Sequence, residues 1–333
     1  MFSIVPQFEQ LEQAAKFLDE ASPPYARLAL IFLDNVAEVA MYQRVRHEFA
    51  KDQAYGGSRP PKYAPKKRDD VLQHFDAKVN FVCTEIDVID ADDGKFLKFA
   101  HSLRNEAYHK DEYHRDVMIP VARTYLGIVC RVYPQIRIPA VVSSDSKSEQ
   151  TFLDQHGLPN ADDLLSGGLE RICDQLAAKH TCELNELASA LSRNLVRRID
   201  EILGTEEETG FLETLMDGNS DGSTDIDMVL KRILFFDSYQ PEAGPAQTHE
   251  EFRRAIKRRE SEFAKFRSPA CVKTLRRWRQ TAQSLTPQNG PGELAERYKS
   301  VEQDFSRIEE QVHQAVQEFD EWVNNEVDAM RGN

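Results

Sequence analysis

The spacing of apolar residues restricts this chain to one class of fold. Over most of its length, apolar side chains recur every three or four positions, which is the repeat of an α-helix with one buried face. Alternation of β-branched and polar residues, which would indicate strands, is nearly absent outside residues 136–142. The sequence therefore predicts an all-α protein.

Breaks in the helical repeat divide the chain into segments. Its 333 residues are enough for two or three domains. A serine-rich run at residues 143–148 is typical of a linker. The first part is predicted to hold five helices, at residues 6–20, 22–51, 69–89, 96–110 and 115–133. We expect a helical bundle at 1–140, a linker at 141–160, a helical domain at 161–240, and arginine-rich helices with a long C-terminal helix at 245–333.

The predicted C-terminal helix carries a heptad seam. Its apolar residues recur at alternating steps of four and three, at Leu294, Tyr298, Val301, Phe305, Ile308, Val312, Ala315, Phe319 and Trp322. Such a seam packs either against a second protomer or back onto its own chain. The periodicity is compatible with both.

The charge of the chain is acidic and unevenly distributed. The net charge is -14, yet residues 1–140 hold 19 Lys and Arg against 20 Asp and Glu, so the acidic excess lies in the remainder. Affinity for phosphate comes from positive surface. Any surface that faces RNA is therefore expected in the first 140 residues or in local basic patches.

The apolar segments are short. The longest, at residues 26–33, falls well below the roughly 20 residues that a membrane helix requires. The first residues lack the basic start and apolar centre of a signal peptide. We predict a cytoplasmic protein with no membrane segment.

The predicted fourth helix separates into two faces when its residues are placed at about 100° each. The apolar face predicts burial in the bundle core, and it consists of Phe96, Ala100, Leu103 and Ala107. The adjacent polar face gathers His101, Arg104, Asn105, Tyr108 and His109. A surface helix made only for solubility would favour Lys and Glu, so this composition indicates a functional site.

The polar face contains the groups that cleave RNA without a metal. Arg104 offers a permanently charged fork that matches phosphate oxygens. His109 can take or give a proton near neutral pH, and Asn105 can position the phosphate or the 2'-hydroxyl. A base removes the 2'-hydroxyl proton, the alkoxide attacks the phosphorus, and arginine stabilises the developing charge. These three residues are the predicted catalytic set, with no cofactor and no metal.

The spacing Arg104-Asn105-x-x-x-His109, late in a compact helical bundle, resembles the motif of the HEPN superfamily. The resemblance covers roughly residues 5–135. It implies a homodimer whose two motifs meet in one cleft, and an endoribonuclease of a bacterial toxin-antitoxin, abortive-infection or anti-phage defence system. Partners would then be an RNA substrate, such as tRNA or mRNA, and an antitoxin or sensor protein.

The resemblance also implies a supporting polar residue from an earlier helix. The candidates are Glu38 and Asn35, within the segment of residues 33–38. Tyr108 and His101, on the helix of the motif itself, are further candidates for a supporting role.

A basic loop at residues 56–68 precedes the predicted third helix, because its glycines and prolines cannot sustain regular structure. Its candidate RNA-binding residues are Arg59, Lys62, Tyr63, Lys66, Lys67 and Arg68. The cations could steer RNA and Tyr63 could stack on a base, but a solvated loop explains the residues equally well. A second basic region, at residues 253–279, either holds nucleic acid or pairs with interleaved glutamates.

Other interpretations of the same chain remain open. The bundle could be a non-catalytic scaffold of HEPN type that binds a nucleotide or a partner protein. Glu106-x-x-His109 and Glu310-x-x-His313 match half-sites of di-metal bundles, although the bridging glutamates are not evident. Residues 217–228 resemble the start of a calcium loop, but Met228 stands where glutamate is required. Residues 184–199 resemble a helix-turn-helix that lacks its turn, so one continuous helix is the better prediction.

Overall fold

The computed structural model describes residues 4–54, 60–106, 115–136, 147–205, 209–217, 225–238, 249–287 and 290–331. Within these ranges the regular structure is helical and no strand occurs, which confirms the predicted all-α fold. No helix in the same ranges is both long and apolar enough to cross a membrane. Arg59, Tyr108 and His109 lie outside the described residues, as do residues 137–146 and most of the candidate calcium loop.

Four of the five helices predicted for residues 1–140 begin and end within five residues of the predicted positions. Nine α-helices occur among the described residues of the first half. They are α1 (Val5–Asp19), α2 (Pro23–Ala54), α3 (Pro65–Gln73), α4 (Phe75–Phe81), α5 (Ala91–Glu106), α6 (Met118–Ile136), α7 (Lys147–Gln155), α8 (Ala161–Asp163) and α9 (Leu169–Lys179). Helix α5 begins five residues before the predicted Phe96, and α6 continues through Pro134.

The predicted third helix at residues 69–89 is divided into three pieces. His74 adopts an extended conformation between α3 and α4. A π-helical turn, Val82–Ile86, follows and ends at Asp87 in the left-handed region. Because α3 starts at Pro65, which suits the first turn of a helix, Lys66 and Arg68 lie in a helix and not in a loop. The spacing of apolar residues does not reveal the break at His74, because the helical repeat continues in both α3 and α4.

The first compact unit comprises residues 1–194 and 285–297. Helix α2 is its centre and packs against α1, α5 and α6, while α6 also packs against α9. Small residues such as Ala29, Ala37 and Ala40 are fully or almost fully buried along α2. The compact unit therefore extends beyond the predicted boundary at 141–160, and residues 147–155 of that segment form α7. Phe152 of α7 is buried and packs edge-on against Phe8.

The described residues of the second half form α10 (Leu184–Leu203), α11 (Phe211–Asp217), α12 (Ile226–Ser238), α13 (His249–Lys265), α14 (Val272–Gln283) and α15 (Pro291–Arg331). Helix α10 is unbroken, which confirms the prediction of one continuous helix. The start of α15 is capped by Asp92, whose carboxylate accepts the backbone N–H groups of Gly292 and Glu293 at 2.9 and 2.7 Å. Gly292 is required there, because a Cβ would lie 2.0 Å from the carbonyl oxygen of Asp92.

The second compact unit comprises residues 195–284 and 298–333. Within it the heptad residues Val301, Phe305, Ile308 and Val312 are buried. Arg198 of α10 pairs with Glu309 of α15 at 2.5 Å, and both side chains are 2% exposed. The seam is thus covered by its own chain up to Val312, which decides between the two arrangements that its periodicity allowed.

We expect Phe8→Ala to lower the free energy of unfolding by about 3–5 kcal/mol, because Phe8 is fully buried where α1, α6 and α7 meet and its removal leaves a cavity. Urea denaturation followed by circular dichroism measures the change. Phe236→Ala is the control, since that ring is 52% exposed and its loss is expected to cost less than about 1 kcal/mol. Equal losses for both variants would contradict the packing described.

Candidate functional site

A buried carboxylate lies at the centre of the candidate site. Asp34, in the middle of α2, has no exposed surface. It accepts hydrogen bonds from three side chains on two other helices, His101 and Arg104 of α5 and Tyr125 of α6. A buried carboxylate is costly unless such donors surround it. Asp34 therefore fixes α5 and α6 against α2 at this point.

Arg104 is oriented by two contacts. Its Nε and Nη2 donate to Oδ2 of Asp34 at 3.0 and 2.5 Å, and its Nη1 donates to Oδ1 of Asn105 at 2.9 Å. An arginine side chain carries five N–H groups, so one on each terminal nitrogen is left for another acceptor within the described part of the chain. The side chain is 26% exposed. A held but accessible guanidinium is suited to binding an anion.

His101 is held by the same carboxylate. Its Nδ1 lies 3.0 and 3.1 Å from the two carboxylate oxygens of Asp34, and its ring stacks on Phe75 with centroids 3.9 Å apart. Because a carboxylate only accepts, Nδ1 of His101 carries a proton and donates it to Asp34. The extended conformation of His74 directs Phe75 into this position. The side chain of His101 is 21% exposed.

Tyr125 closes the inner side of the site. Its hydroxyl donates to Oδ1 of Asp34 at 3.1 Å. Burial raises the pKa of Tyr125 well above its usual value, and the negative charge of Asp34 adds to the shift. Tyr125 is therefore a neutral hydrogen-bond donor at neutral pH, and it supports the carboxylate of Asp34.

The sequence predicts Glu38 or Asn35 as the supporting residue from α2, and the α2 residue that contacts Arg104 and His101 is Asp34. Asn35 donates to Gln10 of α1 at 2.6 Å. Glu38 pairs with the buried Lys78 of α4 at 2.9 Å. Neither forms a hydrogen bond with Arg104 or His101. The signal for Asp34 was present, because an acid occupies an otherwise apolar helical face beside Leu30 and Met41.

The two faces assigned to the fourth predicted helix are confirmed over the described residues. Phe96, Ala100 and Leu103 are buried, whereas Arg104 and Asn105 reach the surface. The described part of this helix ends at Glu106, and Tyr108 and His109 lie beyond it. Glu106 itself accepts a hydrogen bond from the Ser102 hydroxyl at 2.9 Å.

Three cations of the basic segment, Lys62, Lys67 and Arg68, form ion pairs within the protein, while the RNA-binding role of this segment stays a prediction. Lys62 and Lys67 pair with the two carboxylate oxygens of Glu85 at 2.9 and 2.7 Å. These contacts lower the pKa of Glu85 to about 2. Arg68 pairs with Asp52 at 3.1 Å and is almost fully buried.

Tyr63 and Lys66, the other candidates in this segment, differ from each other. Tyr63 is 4% exposed. Its ring packs edge-on against Phe49 and Phe81 at 5.3 and 5.1 Å. It is a core aromatic residue and is not available to stack on a base. Lys66 is exposed at the first turn of α3.

Comparisons of the chain with protein-family models, with curated proteins and with solved structures found no match. The function must therefore be argued from the residues themselves and from the geometry around Asp34.

We expect Asp34→Ala to lower the free energy of unfolding by about 3 kcal/mol, the lower end for a broken buried ion pair, because Arg104 and His101 keep some contact with water. A double-mutant cycle with Arg104→Ala should show a coupling energy of about 0.5–3 kcal/mol. Urea denaturation measures both. Asn35→Ala, at the next and exposed position, is the control and should change stability by less than about 0.5 kcal/mol. Additive losses would mean that Asp34 does not hold Arg104.

Proposed function

We propose that the first unit is a metal-independent endoribonuclease of HEPN type that acts as a homodimer in the cytoplasm. The observation that carries the proposal is the orientation of Arg104 by the buried Asp34. Arg104 is the first residue of the Arg104-Asn105-x-x-x-His109 motif. A guanidinium held in this way is preorganised for the charge that develops on a phosphate during cleavage.

Each polar residue has a distinct role in this proposal. Arg104 binds and polarises the phosphate with its free N–H groups. Asn105, whose carbonyl oxygen is held by Arg104, directs its amide donors to the phosphate or the 2'-hydroxyl. His109 is the general base or acid. Asp34 positions Arg104 and does not touch the substrate.

The energetic cost of the cluster supports a functional interpretation. Removing a carboxylate from water costs several kcal/mol, and a buried ion pair that is replaced as a whole by apolar residues of similar volume often leaves the protein as stable or more stable. The bundle instead retains the acid and surrounds it with arginine, histidine and tyrosine. Clusters of buried and partly exposed ionisable side chains occur preferentially at sites that bind ligands or catalyse reactions.

A second candidate function is a non-catalytic scaffold that binds a nucleotide or a partner protein. One observation favours it: Nε and Nη2 of Arg104 point inward to Asp34, so the bidentate edge of the guanidinium is already occupied. An arginine used in this way stabilises the bundle and binds an outside anion only through its remaining N–H groups. Cleavage assays separate the two functions.

The proposed system follows from the resemblance of the motif. An RNA-cleaving protein of this type would serve a bacterial toxin or anti-phage defence system, including abortive infection. Its substrate would be tRNA or mRNA, and an antitoxin or sensor protein would control it. The acidic second unit is a suitable surface for such a regulator.

An apolar surface on α2 supports the dimer. Tyr25, Leu28, Phe32, Val39 and Tyr42 lie on one face of α2 at steps of three, four, seven and three, and two of them, Tyr25 and Phe32, also contact Phe17 of α1. Tyr25, Leu28 and Tyr42 are 42%, 40% and 36% exposed. This α2 face lies on the same helix as Asp34, so two copies that pair through it would bring their sites close together. Exposed apolar residues at heptad spacing are typical of helix association.

The cleavage test uses purified protein, total RNA and EDTA. Wild-type protein should cleave RNA and leave 2',3'-cyclic phosphate ends, because the 2'-hydroxyl is the nucleophile. Arg104→Ala and His109→Ala should each lower the rate by at least about 100-fold. Arg171→Ala, which removes an exposed arginine of α9 outside the Asp34 cluster and outside the α2 face, is the matched control and should retain the rate.

Two outcomes would count against this function. Intact RNA after incubation with folded wild-type protein, together with a loss of stability in Arg104→Ala, would favour the scaffold. Loss of cleavage in EDTA, with recovery on addition of a divalent metal, would favour the di-metal interpretation of Glu106-x-x-His109.

We expect the double variant Leu28→Glu with Tyr42→Glu to be monomeric at micromolar concentration, because two like charges on the α2 face oppose its pairing. Light scattering measures the mass, and RNA cleavage should fall with it if the site is shared between copies. Phe236→Glu places the same charge on an exposed ring of the second unit and should leave the dimer intact. A wild-type protein that is monomeric at the same concentration would overturn the prediction.

A further inference from the structure

Helix α14 packs into the second unit through one face only. Leu275 and Ala282 are fully buried there. Arg279, on the edge of the same face, donates to both carboxylate oxygens of Asp200 at 2.6 and 3.0 Å. This face is therefore fully used for packing and for an internal ion pair.

The opposite face of α14 is cationic and exposed. At about 100° per residue, Lys273, Arg276, Arg277 and Gln280 fall within an arc of about 100°, on the side away from Leu275. All four are exposed. With Cys271 and Thr274 they line an open cavity of about 420 Å³. Three cations and one amide donor thus face a space that is large enough for a phosphate group.

No ion pair or side-chain hydrogen bond engages Lys273, Arg276 or Arg277 within the described ranges of the chain. This is unexpected in a protein with 56 Asp and Glu against 42 Lys and Arg. On neighbouring α13, by contrast, Arg258 pairs with Glu262 at 3.0 Å. Like charges at steps of three and four repel each other along a helix. Three neighbouring cations that have no carboxylate partner among the described residues are therefore suited to binding an external anion.

We propose that the exposed face of α14 binds the phosphodiester backbone of RNA. Arginine forks match phosphate oxygens in pairs, lysine adds a point charge, and the amide of Gln280 adds a neutral donor. Such contacts position a strand and do not read its sequence. The choice of RNA over another polyanion rests on the RNA-cleaving function proposed for the first unit. The face itself is an additional binding site.

The test measures binding of full-length protein to a fluorescent single-stranded oligoribonucleotide whose 2'-hydroxyls are methylated. Such a probe cannot be cleaved through its own 2'-oxygen. The triple variant Lys273→Gln, Arg276→Gln and Arg277→Gln should bind at least about tenfold more weakly at low salt. The slope of log affinity against log salt should fall by about 2, since three phosphate contacts on a single strand contribute about 0.7 each.

A second triple variant controls for net charge. This variant combines Lys51→Gln, Lys95→Gln and Lys179→Gln. It also removes three positive charges, but from exposed lysines that have carboxylate partners. Its affinity should stay within about threefold of wild type.

Three outcomes would overturn the proposal: no binding of the probe by wild-type protein, equal binding by both triple variants, or binding of poly-glutamate as tight as that of the probe. Failure of the proposed nuclease is distinguishable, because it appears as intact unmodified RNA while the α14-dependent binding of the methylated probe persists in both wild type and Arg104→Ala.

Discussion

The buried charge of Asp34 is the constraint on which the first unit depends. It lies on the central helix of the bundle, where an uncompensated carboxylate would cost several kcal/mol. The donors that compensate it come from α5 and α6. Both helices must therefore hold a fixed register against α2. The same hydrogen bonds that make the acid tolerable also orient Arg104 and His101 toward the surface, so stability and the geometry of the site have one origin.

The second unit contains a buried ion pair of another kind. Arg198 of α10 donates to Glu309 of α15, and both side chains are 2% exposed. The guanidinium of Arg198 also lies 5.4 Å from the ring centroid of the heptad residue Phe305. Because both side chains of that pair are buried, neither is accessible to a ligand from solvent. Around Asp34 the acid is equally buried, but Arg104 and His101 are partly exposed. A buried carboxylate that holds a partly exposed arginine presents positive charge in a fixed direction, and this distinguishes a candidate site from a purely structural pair.

Much of the helical architecture can be predicted because apolar spacing records which face of a helix is buried. Phe96, Ala100 and Leu103 belong to the core on this ground, and they are buried. Spacing does not record where a helix bends, so it does not reveal the corner at His74. It also does not record which residue of another helix meets a polar face. Asp34 is recognisable only as an acid among apolar neighbours, and its partners lie 67 to 91 positions away in the chain.

The cations of this acidic chain show why composition alone could not locate an RNA surface. Lys62, Lys67 and Arg68 belong to a basic segment of the sequence, yet each of them pairs with a carboxylate of the first unit, Glu85 or Asp52. No Asp or Glu occurs between residues 263 and 292, and within the described residues the cations on the exposed face of α14 have no carboxylate partner. Whether a lysine or arginine can bind RNA depends on whether a carboxylate from a distant part of the sequence pairs with it, and the fold determines this. In a protein with net charge -14, unpaired cations attract a polyanion only within about one Debye length, roughly 8 Å at physiological salt. Binding through α14 is therefore expected to depend on close contact and not on long-range attraction.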